Sequence, residues 1–289
     1  MLNMGGPSTV RVRYSFINKY AAIGGGSPIL KYSEKQGHGM AKLLDELHPD
    51  TAPHKILCCT AREMKADGVT RAVAFTQYPQ YSCSTTGSSL NEIFRRGKAG
   101  EFGQDISWSV IDRWGTHPGF IEAVAQNIES ALAKFPASTR SETVVLFSAH
   151  SLPLFRRQYR QSCSALDNRT LIVWCGNQKS VPSRWMGPQT SESLKGLARL
   201  GRKQVVLTLY ELDLEYMKEA RELGIEIHRS ESLNESPVFI RALADIAAEH
   251  LRGLSSGSGP TSVQLGLRCP GCVNTTCGQQ KSWFARGGS

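Results

Sequence analysis

The sequence predicts an α/β protein in which mainly parallel sheet is covered by helices on both faces, with two such units in tandem. Three observations predict it. Short apolar runs alternate with stretches of helical spacing, and strand–helix alternation yields parallel strands joined by crossover helices. The run Val144 to Phe147 is apolar throughout, as in a strand buried on both faces. A length of 289 residues suits about two domains. The first domain is expected over 1–138 and the second over 139–254, with a linker and cysteine-bearing tail over 255–289.

Taken in order, Met1 to Met4 reads as the tail of a strand, ended by Gly5-Gly6-Pro7. Ser27 is placed to cap a helix with Pro28 at its first position, and Ile29, Met40, Leu43, Leu44 and Leu47 supply its apolar contacts. The preceding Gly24-Gly25-Gly26 is not a phosphate loop, because no Gly-Lys-Ser/Thr completes it. Lys55 to Cys59 reads as a short strand, Arg62 to Asp67 as a helix closed by Gly68, and Arg71 to Thr76 as a clearer strand. Gln77 to Gly87 is a polar, aromatic loop before a helix at Leu90 to Arg95. A strand at Ile106 to Ile111 ends on Asp112-Arg113-Trp114. Phe120, Val124, Ile128 and Leu132 lie on one helical stripe. The strand from Val144 gives way to small and polar residues, and Pro153 bars its continuation. Beyond it, strands are expected at Leu171 to Trp174, Gln204 to Leu209 and Ile225 to Ile227. Helices are expected at Ser191 to Leu200, Glu211 to Leu223 and Pro237 to Leu251. Gly253 to Ser262 is a Gly/Ser linker.

Composition narrows the function. An apolar share of 40% excludes disorder. No apolar run approaches the roughly 18 residues of a membrane span. Lys and Arg number 34 against 25 Asp and Glu, an excess that favours anionic partners such as acidic lipid or carboxylate-bearing ligands. No basic run is interleaved with aromatics, so nucleic acid is not an expected partner. No signal peptide or Arg-rich presequence precedes Met1-Leu2-Asn3-Met4. Eight cysteines in a chain able to build a full core do not indicate a disulfide scaffold.

Three groups of residues could carry chemistry. His150 follows the Val144 strand, at the end where open α/β sheets place their ligand crevice, and imidazole exchanges protons near neutrality. Its plainer role is a hydrogen bond inside a strand-to-helix turn. Glu211 and Glu215 share one helical face, with Asp213 on another; they form either a line for protons and divalent ions or a solvated face. Cys269, Cys272 and Cys277 have the C-x2-C-x4-C spacing that lets thiolates meet one soft metal centre. Iron–sulfur clusters and structural zinc both want four donors, so the tail must fold back to a fourth. Spacing alone does not choose between them. Tyr78, Tyr81, Trp114, Trp174 and Trp185 could wall a flat ligand or simply fill the core.

Several stretches together are similar to one family. Leu2 to Pro7, Ile23 to Pro28, Phe75 to Leu90, Ile111 to Trp114, Phe147 to Pro153, Trp185 to Thr190 and Leu209 to Tyr216 resemble motifs of ferrochelatase, the terminal enzyme of haem synthesis, in family order. The Phe75 to Leu90 run and the cysteine tail resemble its animal-type branch, which carries a 2Fe–2S cluster. The resemblance implies two Rossmann-like, chelatase-type domains and insertion of ferrous iron (Fe2+, a substrate) into protoporphyrin IX. It implies His150 as proton acceptor, Glu211, Asp213 and Glu215 as proton and iron conduit, and Met4, Tyr78, Trp114 and Trp185 lining the macrocycle pocket. Ser27 would receive propionates. Cys83 would join Cys269, Cys272 and Cys277 as cluster ligand. A homodimer, peripheral on the matrix side of the mitochondrial inner membrane, is implied as well.

The chain also departs from the family pattern. Only Ser8 to Ala22 connects the first two motifs, where the family has a long hydrophobic lip. The Arg-Tyr-bearing segment after Lys55 is missing, and the region after Pro153 is shortened. Val206-Leu207 runs directly into Thr208-Leu209-Tyr210-Glu211, where the family carries a His/Glu-bearing loop. The chain therefore reads as a ferrochelatase with internal deletions. The alternative is a catalytically inactive porphyrin- or haem-binding regulatory iron–sulfur protein.

Overall fold

The computed structural model describes residues 27–56, 61–102, 106–149, 172–176, 188–209, 214–267 and 273–288. In chain order its helices are α1 (Ile29–Leu47), α2 (Ala61–Ala66), α3 (Ser88–Lys98), α4 (Pro118–Leu132), α5 (Thr190–Arg199), α6 (Leu214–Glu222), α7 (Pro237–Ser255), α8 (Val263–Gly266) and α9 (Thr275–Ala285). Its strands are β1 (Arg71–Phe75), β2 (Ser107–Ile111), β3 (Val144–Ala149), β4 (Ile172–Gly176), β5 (Gln204–Leu209) and β6 (Glu226–Arg229). The chain divides into two units, one of Met1–Phe120 with Asn234–Ser289, the other of Ile121–Leu233.

In the second unit four strands lie in the order β4-β3-β5-β6, every neighbouring pair parallel. The apolar run of β3 is explained by what covers it. Val144 and Leu146 join Val205 and Leu207 of β5 in one cluster with Leu194 and Leu197 of α5 and Tyr216 and Ala220 of α6. Val145, Phe147 and Val206 join Ile128 and Ala131 of α4 and Phe135 on the other face. Successive strand residues point to opposite faces, so a strand with helices on both sides is apolar at consecutive positions, here Val144 to Phe147. The α/β class with helix-flanked parallel sheet is what the structure has.

In the first unit β1 and β2 pair in parallel, Arg71 opposite Ser107 through Phe75 opposite Ile111. Ala74, Trp108 and Val110 pack with Leu90 and Ile93 of α3, Leu265 of α8, and Trp283 and Phe284 of α9. Helix α7, expected within the second domain, packs instead along α1. Gly39 permits the approach, since a Cβ there would stand 2.8 Å from Ile240 Cγ2. Ser236 starts α7 as an N-cap, its Oγ accepting from Phe239 N at 3.2 Å, with Pro237 next.

Beyond α7 the chain is tied into β2. Trp108 N donates to Gly287 O at 2.7 Å and Val110 N to Pro260 O at 2.8 Å. Helix α9 has no counterpart among the expected elements, because its apolar residues are too few to show a stripe. Asn274 caps it, its Oδ1 accepting from Thr276 N at 2.9 Å and Cys277 N at 3.4 Å. The glycine stops are as expected: Gly68 and Gly201 lie at φ of +60° and +72°, after α2 and α5. The expected tail of a strand at Met1 to Met4 lies outside the described residues, as does most of the one at Lys55 to Cys59.

Candidate active site and cluster region

Two strand ends frame the first candidate site. β3 and β5 are neighbours, with Ser148 opposite Leu209. The strand after β3 lies on one side of this pair, and the strand after β5 lies on the other. Where connections leave adjacent parallel strands in opposite directions, a crevice opens at their carboxyl ends, the usual ligand position in such sheets. The chain runs from β3 directly into His150, and from β5 into Tyr210 and Glu211. His150, Glu211 and Asp213 lie outside the described residues; Glu215 is on α6, with only its backbone described.

Neighbouring groups hold this end of the sheet. Ser148 Oγ and Thr190 Oγ1 are 2.9 Å apart and both buried, fixing the first residue of α5 to the end of β3. Gln189 and Glu192 form a reciprocal capping box at the start of α5, Glu192 Oε2 accepting from Gln189 N at 3.0 Å. Thr190 closes the Trp185 to Thr190 motif; Trp185 itself lies outside the described residues. Glu219, which continues the face of Glu211 and Glu215, accepts from Ser191 Oγ and pairs with Lys195 Nζ at 3.4 Å. It therefore binds α6 to α5.

The aromatic loop of the first unit is built around Thr76. Thr76 N donates to Ile111 O at 3.1 Å, extending the β1–β2 ladder by one bond. Its carbonyl accepts from Trp114 Nε1 at 2.9 Å, and its Oγ1 lies 3.0 Å from Thr86 Oγ1 and accepts from Tyr78 N at 3.3 Å. Pro79 O accepts from Trp114 N at 3.0 Å and from Gly115 N at 2.9 Å. One threonine thus locks the Tyr78 loop to the Ile111 to Trp114 motif. Trp114 is 6% exposed, edge-on to Phe75 and Phe120 and tilted against Phe239. Asp112 is buried and paired by the Arg113 guanidinium at 2.7 Å, and Arg113 also lies 5.7 Å from the Tyr81 ring centroid. Ser27 Oγ accepts from Ile29 N at 3.4 Å, but the cap position of α1 is Pro28, one residue later than expected: Pro28 O accepts the first intrahelical bond, from Tyr32 N at 3.1 Å, and no side chain caps the helix. Met4 lies outside the described residues.

The cysteines fall on two helices that run side by side. Cys83 opens a wide helical turn, Cys83–Gly87, whose Gly87 N donates to Ser82 O at 2.9 Å and which continues into α3. Cys277 is in the first turn of α9. Asn91 Nδ2 of α3 donates to Cys277 Sγ at 3.4 Å. Further along both helices, Phe94 meets Trp283 at 5.7 Å, and a Cβ on Gly97 would stand 2.8 Å from Trp283 Cζ2. The contacts advance in the same direction, so α3 and α9 are parallel and Cys277 lies towards the end from which α3 starts. The tail does fold back onto the body, as a fourth donor demands. Cys269 and Cys272 lie outside the described residues. Among the described residues no three His, Cys, Asp or Glu side chains gather as a metal site.

Sequence reasoning missed Thr76, Thr190 and Asn91. Thr190 stood at the end of a family motif, and Thr76 at the end of a strand. Asn91 carried no signal, since its partner is 186 positions away.

Residues 5–251 match the family model for ferrochelatase. The chain belongs to the ferrochelatase family. It is 43% identical over 354 positions to the mitochondrial ferrochelatase of Xenopus laevis, covering 99% of this chain and 85% of the relative. The mitochondrial ferrochelatases of Bos taurus and Homo sapiens are each 42% identical over 352 positions, covering 98% of this chain and 83% and 82% of theirs. An alignment of 354 positions against 289 residues leaves at least 65 positions holding no residue of this chain. The aligned part of this relative is therefore longer than this chain, in keeping with the internal deletions read from the sequence.

Proposed function

We propose that this chain inserts ferrous iron into protoporphyrin IX, forming protohaem in the last step of haem synthesis, with iron and porphyrin as its substrates. The observation that carries the reading is the pairing of β3 with β5, the strands that lead into His150 and Glu211. Two pyrrole N–H protons must leave as iron enters, and a positioned base typically contributes about 10²- to 10⁴-fold to such a step. His150 takes these protons. Glu211, Asp213 and Glu215 replace water around the entering iron and carry protons outward. The macrocycle lies against Met4, Tyr78 and Trp185, with Trp114 as rigid backing. The Ser27 hydroxyl accepts a backbone N–H, which leaves its own proton for a propionate at the start of α1.

A 2Fe–2S cluster fits the residues present. Cys83 and Cys277 stand in the first turns of parallel helical segments, where the helix dipoles favour negative charge. The sulfur of Cys277 already accepts an amide N–H. Cys83, Cys269, Cys272 and Cys277 would hold the cluster, which supplies one-electron redox chemistry when bound. Mitochondrial relatives support a mitochondrial location. The matrix side of the inner membrane, peripheral attachment and a homodimer complete the reading; among the described residues no helix is long and apolar enough to cross a membrane.

Anaerobic insertion of ferrous iron or zinc into a porphyrin tests this function. Turnover by the wild-type chain, lowered about 10²- to 10⁴-fold in His150→Ala with porphyrin binding retained, is the expected result. Porphyrin binding by the wild-type chain without turnover would sink it.

A further inference from the structure

Two side-chain amides, Asn91 and Gln280, lie on α3 and α9, and the first bears on how a cluster would be tuned. Asn91 is half-buried on α3. Its Nδ2 donates to Cys277 Sγ at 3.4 Å, while its Oδ1 is buried with no partner among the described residues. An apolar residue would fill this place without leaving an amide oxygen unpaired, a deficit that normally destabilises a fold. The N–H···S contact is what the asparagine adds. Sulfur accepts such a bond more strongly as a thiolate bound to iron than as a neutral thiol, because the acceptor then carries charge.

A second buried amide lies close by. Gln280 follows Cys277 by three residues, on the same face of α9 as Phe284. It is fully buried, and neither its Nε2 nor its Oε1 has a partner among the described residues. Trp283 and Phe284, one turn on, pack in the core and hold α9 against α3. The two helices therefore cannot slide to relieve either amide.

We propose that Asn91 is a positioning residue for the cluster: it aims an amide N–H at the Cys277 sulfur and so raises the cluster's reduction potential. The proposal rests on the cluster reading above. Hydrogen bonds to cluster sulfurs withdraw electron density and favour the reduced state, and they are a main lever by which proteins set these potentials. No other charged group is needed for the effect.

The test is a redox titration of the purified full chain followed by visible absorption and by electron paramagnetic resonance of the reduced cluster. Asn91→Leu removes the donor while keeping the bulk, and Asn91→Ser retains a shorter donor. Far-ultraviolet circular dichroism checks that each variant is folded. Asn91→Leu is expected to keep the charge-transfer bands and to shift the oxidised-to-reduced ratio about tenfold towards oxidised at a given potential, a fall of roughly 59 mV for one electron. Asn91→Ser should fall between it and the wild type. Where Asn91→Leu does not fold, the Asn91→Ser shift alone decides. A folded Asn91→Leu that no longer holds the cluster overturns the proposal, since Asn91 is then needed for ligation and not for the potential. Unchanged potentials in cluster-loaded variants overturn it and leave the cluster reading standing. A wild-type chain without charge-transfer bands after reconstitution overturns both.

Discussion

The two units hold their sheets by different means. In the second, β3 and β5 are covered on both faces by helices close to them in sequence, and the core they share is mostly aliphatic, with Phe135, Phe147 and Tyr216. In the first, the β1–β2 pair depends on residues far along the chain: Trp283 and Phe284 cover one face, and Pro260 and Gly287 accept from the backbone of β2. The second arrangement draws its stability from a continuous apolar run. The first is a closure, in which Leu265, Trp283 and Phe284 of the C-terminal segment are part of the core over β1 and β2. The difference places Cys83 and Cys277 in the first unit and the strands leading to His150 and Glu211 in the second.

That comparison can be broken most directly by cutting the closure. Phe284→Ala should cost about 3–5 kcal/mol, since the ring is fully buried among Trp108 and Trp283. Denaturant unfolding followed by tryptophan fluorescence and by circular dichroism should show an early transition confined to part of the signal. Leu146→Ala, fully buried in β3, should cost about 2–5 kcal/mol and move the remaining transition instead. If both variants shift one common transition equally, the two units are a single cooperative body and the distinction fails.

Smaller effects sharpen the picture. Gly97→Ala presses a methyl against the Trp283 ring and should destabilise by about 1–3 kcal/mol, with metal content of the reconstituted chain falling in step. His250, whose Nε2 lies 2.9 Å from Ser109 Oγ, has its pKa lowered by burial between α7 and β2. Its contribution is fully present above about pH 6.5 and is lost as pH falls through the lowered folded value, because the unfolded chain then binds a proton that the folded chain refuses. The stability of His250→Gln should therefore fall less than that of the wild type between pH 7.5 and about 5.

The least effect is expected at Glu92. Hydrogen bonds from Arg95 and Arg96 hold its carboxyl down to about 2. Its stabilisation is present above about pH 4.5 and lost as pH falls through about 2. The side chain is exposed, so solvent screening limits each pair to about 0.3–0.5 kcal/mol. Glu92→Gln at pH 7 should lower the thermal midpoint only slightly, and 0.5 M salt should erase the difference.

Legibility followed the same division. The second unit's strands were readable to within a residue or two, because burial on both faces leaves an unmistakable apolar run. Gln204 to Leu209 and the Val144 strand needed nothing else. Helix α9 was not readable: Thr275 to Ala285 has just two large buried apolar side chains, Trp283 and Phe284, whose ring partners Phe94 and Trp108 lie more than 170 positions earlier. Trp114 fitted a pocket wall or the core equally well by type, and its surroundings of Phe75, Phe120 and Phe239 come from three separate elements.

By itself, the sequence determined the class of fold, most of its strands and helices up to Ser255, and the motif set that marks the family. These depend on local periodicity, turn chemistry and residue identity, all of which act over a few residues. Only the tertiary structure decided that β3 neighbours β5, that α7 returns to α1, and that Asn91 meets the sulfur of Cys277. Such pairings depend on packing between segments far apart in the chain, and no local pattern encodes the distance between them.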